Sequence, residues 1–139
     1  MVKYLLDTNV LSELRKKNRC DAHVSRWFAG IDDDVIYLSI LVTGEIRKGI
    51  ELKRIKDPTQ ALLLEQWLVK IETHYCGRIF RLDAETCDIW GKLNAIRPLP
   101  VIDSLLAATA IQHDLVLVTR NVQDVKNTHV KLLNPFEPQ

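Results

Sequence analysis

The chain has 139 residues, with 19 Lys and Arg against 18 Asp and Glu and a formal net charge of +1. That length fits a single domain over residues 1–139, and 47% apolar with 27% charged residues excludes a disordered chain. The charge balance excludes a uniformly basic nucleic-acid coat, though not a local basic patch, and three cysteines without a CxxC pair set aside a disulfide scaffold or a zinc ribbon.

The first apolar run, Val2 to Leu6, stops at Asp7, too early for a signal peptide. With no apolar stretch near the roughly 18 residues of a membrane span, a cytoplasmic protein is expected. After that run the period turns helical. Val10, Leu11 and Leu14 share a face, followed by the basic run Arg15, Lys16, Lys17 and Arg19. Val24, Trp27 and Phe28 form an i, i+3, i+4 set. Val35 to Leu38 reads as a second buried strand. Leu41, Ile46, Ile50 and Ile55 mark a helix whose other faces carry Arg47, Lys48, Lys53, Arg54 and Lys56. Asp57-Pro58 opens the next helix, with Leu62, Leu63, Trp67, Leu68 and Ile71 on its apolar side. Ile79 to Leu82 is a weak third strand, and Asp83 or Ala84 starts a helix that stops before Pro98. Ile102 to Gln112 is a helix dense in alanine, able to lie close to a sheet. Leu115 to Val118 is the clearest strand, and Val130 to Leu133 a weak last one before Pro135. Strand–helix alternation predicts an α/β fold, three-layer α/β/α, with a mostly parallel and roughly five-stranded central sheet.

In open α/β sheets, ligands gather at the carboxyl ends of the strands. Asp7 ends the first strand, and Glu45 follows the second. Asp103 lies in the first turn of the alanine-rich helix, and Asp124 comes a turn after Thr119, Arg120 and Asn121. Each acid has an ordinary use: Asp7 as a helix N-cap, Asp103 as a helix-dipole partner, Glu45 and Asp124 as solvated charges. Together at one sheet edge, such carboxylates would repel one another unless a cation sat between them. The basic runs are either solvated faces or, beside an acidic metal site, contacts for a polyanion. Trp27, Trp67 and Trp90 fall on helical apolar faces and read as core or interface rather than stacking platforms. Cys76 and Cys87 read as buried small hydrophobes, and His23, His74, His113 and His129 show no ligand spacing.

Four segments, LLDTNVLSEL at 5–14, SILVTGEIRKGI at 39–50, IDSLLAATAIQHDLVLVTRN at 102–121 and LLNPF at 132–136, resemble the PIN-domain family, and more narrowly its VapC and FitB toxin branch. The resemblance spans essentially the whole chain. It implies a metal-dependent endoribonuclease that acts as the toxin of a type II toxin–antitoxin pair. It also implies Mg²⁺ or Mn²⁺, an RNA substrate such as tRNA, a cognate VapB-like antitoxin and a homodimer. Asp7, Glu45 and Asp103 are then the catalytic, metal-site acids, with Thr8, Asn9 and Thr119 in supporting positions. The family's fourth acid falls at Asn121, a departure that Asp124 could make good from three residues on. Arg15, Lys16, Lys17, Arg47, Lys48 and Arg120 are candidate RNA contacts. Two other readings stand beside this one. A phosphoryl-group hydrolase could use Asp7 as nucleophile, although Asn9 occupies the place where such enzymes want a second acid. A PIN-like module could bind RNA or protein without cutting.

Overall fold

The computed structural model describes residues 1–139. In chain order the elements are β1 (Tyr4–Leu6), α1 (Thr8–Leu14), α2 (Ala22–Ala29), β2 (Ile36–Ser39), α3 (Ile40–Lys56), α4 (Pro58–His74), β3 (Ile79–Phe80), α5 (Ala84–Ile96), α6 (Val101–His113), β4 (Val116–Val118) and β5 (Lys131–Leu133). Side-chain oxygens of Asp7, Asp21, Ser39, Asp57 and Asp83 accept backbone N–H groups at the starts of α1 to α5. These short polar residues satisfy donors that a helix start leaves open. Pro58 sits in the first turn of α4, where its missing N–H costs nothing.

All strands pair in parallel, in the order β3-β2-β1-β4-β5. Leu5, Leu6, Ile36, Leu38, Leu117 and Val118 are buried, as expected of strands covered on both faces. The chain moves from β1 to β2 to β3 in one direction across the sheet and then returns to β4 and β5 on the far side of β1. Right-handed crossovers therefore place the outgoing helices, α1 to α4, on one face and the returning pair, α5 and α6, on the other. The result is the three-layer arrangement expected from the sequence. Ser104, Leu106, Ala107, Ala108, Thr109 and Ala110 are all buried on α6, whose small side chains let it lie close against its neighbours.

The third strand is shorter than the run that suggested it, two residues instead of four, because Asp83 already caps α5. Cys76 and Cys87 are exposed, not buried. Cys76 lies in the turn after α4 and Cys87 on the outer side of α5, where apolar periodicity carries no constraint.

The direction of travel reverses between β1 and β4. At such a switch point the two outgoing connections leave on opposite faces, and a crevice opens at the strands' carboxyl ends. Asp7 follows β1 directly and Thr119 follows β4.

Candidate active site

Asp7 is 4% exposed, and its backbone N–H donates to the Val118 carbonyl at 2.9 Å, which ties it to the end of β4. Both of its carboxylate oxygens accept hydrogen bonds. Oδ1 accepts the Thr8 N–H at 2.6 Å, while Oδ2 accepts the Thr119 hydroxyl at 2.7 Å and the Asn9 amide at 3.3 Å. Asp7 is thus both the N-cap of α1 and a fixed carboxylate in the crevice. Burial pushes its pKa up, against the pull of the Thr119, Thr8 and Asn9 hydrogen bonds.

Thr119 is the hub of this arrangement. Its hydroxyl donates to Asp7 and accepts the Asn121 N–H at 2.9 Å and the Asn9 amide at 3.3 Å. Asn9 Oδ1 in turn accepts the Arg120 N–H at 3.2 Å. The loop after β4 and the first turn of α1 are therefore locked together around one carboxylate. Thr119→Val keeps the shape but removes the hydroxyl donor to Asp7. Losing this bond, which lowers the Asp7 pKa, is expected to raise that pKa further; carboxylate titration of the two proteins by NMR checks this.

Asp103 rises from the first turn of α6 on the other side of the crevice. Its pKa is pushed up from the ordinary 3.8 to about 6. Burial is the largest cause, the charge of Asp7 the next, and the carboxyl of Asp124 the third, while the Asn121 side chain pulls the other way by hydrogen bonding. Asn121 and Asp124 thus both bear on the charge of Asp103. Glu45 is held differently. It accepts the Thr8 hydroxyl at 2.6 Å and enters the site from α3 through that contact. The neighbours that crowd Asp103 are Asp7 and Asp124, and Glu45 is not among them.

The PIN-domain family model matches residues 4–127. The chain belongs to the PIN-domain family. Toxin FitB of Neisseria gonorrhoeae is 28% identical over 137 residues, 95% of this chain and 97% of that protein. VapC ribonuclease Y4jK of Sinorhizobium fredii is 25% identical over 139 residues, 96% of this chain and 98% of that protein. The crystal structure of FitAcB from Neisseria gonorrhoeae superposes with a TM-score of 0.87 at 27% identity, covering 96% of this chain and 99% of that one.

In this PIN domain the donor chemistry suits a hard divalent cation. Asp7, Asp103 and Asp124 supply only carboxylate oxygens, and burial together with the Asp7 and Asp124 carboxyls raises the pKa of Asp103. No three His, Cys, Asp or Glu side chains stand as a ready-made ligand set. The Asp7–Asp103 pair is therefore the candidate holder, and an ion such as Mg²⁺ keeps several waters and needs only one or two carboxylates.

The basic residues divide into tied and free. Lys16 pairs with Glu13 at 2.9 Å. Arg47 pairs with Glu51 and Glu65, and Arg54 bonds the same two acids across the α3–α4 hairpin. Arg120 lies 3.7 Å over the Phe136 ring. Lys48 lines a shallow hollow with Glu45 and Ile102, and Lys17 is exposed at a positive φ of 53°. Arg15 and Lys53 have no ion pair and line a groove that also includes Thr8 and Glu45. The spacings of Glu13–Lys16, Arg47–Glu51 and Glu51–Arg54 signal part of this sorting in the sequence, whereas Glu65 joins from a separate helix. Trp67 packs half-buried against the core, which Trp27 enters more fully, and also lines that groove, while Trp90 bonds Ser104.

Proposed function

We propose that this PIN domain is the toxin of a type II toxin–antitoxin pair and an endoribonuclease dependent on Mg²⁺ or Mn²⁺. One observation carries the reading: the buried Asp7 and the half-buried Asp103 lie close enough at the sheet's switch point for the charge of Asp7 to raise the Asp103 pKa, and no basic side chain is among the groups acting on either. Such a pair costs stability without a cation, and a domain that only bound RNA would be better served by neutral or basic groups there. The names of the relatives, toxin FitB and VapC ribonuclease Y4jK, agree with it.

Asp7 and Asp103 would hold the ion, with Asp124 and Asn121 supporting Asp103. When bound, the cation supplies neutralisation of the phosphodiester's developing charge and lowers the pKa of a water. Thr119 and Asn9 keep Asp7 in one orientation, so little reorganisation is needed as the reaction proceeds. Glu45, aligned by Thr8, orients the water that attacks phosphorus. Asn9 stands where a phosphoryl-enzyme hydrolase wants a second acid, and this disfavours the phosphoryl-enzyme reading. A VapB-like antitoxin would block the crevice, the toxin would act as a homodimer in the cytoplasm, and tRNA is a fitting substrate.

The test is incubation of the purified chain with tRNA and with total RNA, with Mg²⁺ or Mn²⁺ and with EDTA. Cleavage that EDTA abolishes is the expected result. Binding without cleavage under every metal condition would leave only the binding module. Asp124→Asn is expected to slow cleavage less than Asp103→Asn does, because Asp124 is exposed and acts on Asp103 from the side; matched rates for the two variants would refute that ranking.

A further inference from the structure

A groove of about 440 Å³ runs between α1, α3 and α4 and opens beside the crevice. Clefts for small molecules typically measure about 300–1,000 Å³, so one nucleotide fits. Its lining is mixed in a particular way. Leu64 and the half-buried Trp67 form an apolar wall, Ser12 and Gln60 present hydrogen-bonding groups, and Arg15 and Lys53 bring two cations. The Arg15 guanidinium lies 5.7 Å over the Trp67 ring. At its inner end the groove reaches Glu45 and Thr8, which are joined at 2.6 Å.

Unpaired bases are recognised by three things together: a flat aromatic or guanidinium surface, polar groups that can meet a base edge, and cations that track the backbone. This groove has all three. Arg47 and Arg54 are neutralised by Glu51 and Glu65, whereas the two cations facing the groove have no acidic partner. Arg15 and Lys53 are thus free to meet an anion beside the half-buried face of Trp67.

We infer that this groove is a subsite for one unpaired nucleotide flanking the scissile phosphate, with Trp67 and Arg15 stacking the base, Gln60 and Ser12 reading its edge and Lys53 meeting the backbone. The inference rests on RNA as the substrate class and adds a determinant of which RNA is cut. It requires a single-stranded segment at the cleavage site, since a base held in a duplex cannot enter.

The experiment measures binding of the hexaribonucleotides rA6, rC6 and rU6, and of a fully paired RNA hairpin, in EDTA, so that no cleavage intervenes. Trp67→Leu should weaken the hexamers by about 5- to 150-fold, the range for losing one stacked base. Trp67→Phe should restore most of that loss, and hairpin affinity should change little in either. Gln60→Ala should change the ranking of the three hexamers. Lys53→Gln should lower the slope of log affinity against log salt by about 0.7, while Arg47→Gln should not. Gln60 and Lys53 lie outside the core, so these two variants remain informative if Trp67→Leu fails to fold. Hexamer binding unchanged in all of these variants would overturn the subsite and leave the ribonuclease reading intact. So would Trp67→Leu that binds every RNA normally but loses a co-purifying protein partner, which would make the groove a partner's. A wild-type chain that neither binds nor cleaves RNA would instead overturn the proposed function itself.

Discussion

Asp7→Asn and Asp103→Asn are each expected to reduce RNA cleavage by more than the 10–100-fold typical of losing an outer partner of a metal ligand, with the fold retained. Asn keeps the volume and one oxygen but removes the charge that attracts a hard cation. For Asp7 the scaffold is preserved as well: an Asn oxygen can still accept the Thr8 N–H at the start of α1, so the helix cap survives while the chemistry does not. This separates the two uses of the same residue. Glu45→Gln should also be severe, because the Thr8 hydroxyl can still donate to the amide oxygen but the group no longer carries charge. Initial rates at low and saturating Mg²⁺ are the measurement. Wild-type rates for Asp103→Asn at low Mg²⁺ would remove Asp103 from the site.

The same substitution should stabilise the protein when metal is withheld. The pKa values of both Asp7 and Asp103 are raised in the folded chain, Asp103 to about 6. The folded state therefore holds these protons more tightly than the unfolded state does. Stability from this source is fully present below the ordinary carboxylate pKa and is lost as pH rises through about 6 for Asp103. In EDTA at neutral pH, wild type should thus carry a penalty that Asp103→Asn relieves. Two pKa units would correspond to about 3 kcal/mol, and partial exposure of the group reduces this to about 1–2 kcal/mol. For a domain of this length that is a rise of roughly 3–8 °C in Tm. Added Mg²⁺ or Mn²⁺ should reverse the order. A native-state ligand at 100 times its Kd stabilises by about 2.7 kcal/mol, and wild type should gain this while the variant gains little. Melting curves in EDTA between pH 4 and 8, repeated with metal, make the check. If Asp103 were only a helix-dipole partner, the variant would melt lower in EDTA and metal would leave both proteins unmoved.

Residue order along the chain was enough for the architecture. Short apolar runs of Val, Ile, Leu and Tyr between 3.6-period segments mark buried parallel strands, and all five lie where the runs stand. The caps were legible for the same local reason: Asp7, Asp57 and Asp83 each precede a helix whose first N–H groups need an acceptor within a few residues. The placement of Asp7 and Asp103 at strand and helix ends could also be read, since alternation alone sends such positions to one sheet edge.

Only the three-dimensional packing decided which groups touch. Thr119 bonds Asp7 across 112 residues of chain, and Asp124 and Asn121 reach Asp103 from a neighbouring loop. None of these contacts follows a helical or strand period, because they depend on how separate connections pack around the switch point. The basic residues were sorted the same way. Glu65 on α4 neutralises Arg47 on α3, and Arg15 and Lys53 are left to face the groove. Trp67 sits on an apolar helical face, as the sequence indicates, but its neighbours cover it only in part. Periodicity marks which face of a helix turns inward, whereas exposure depends on whether a neighbouring element is there to cover that face.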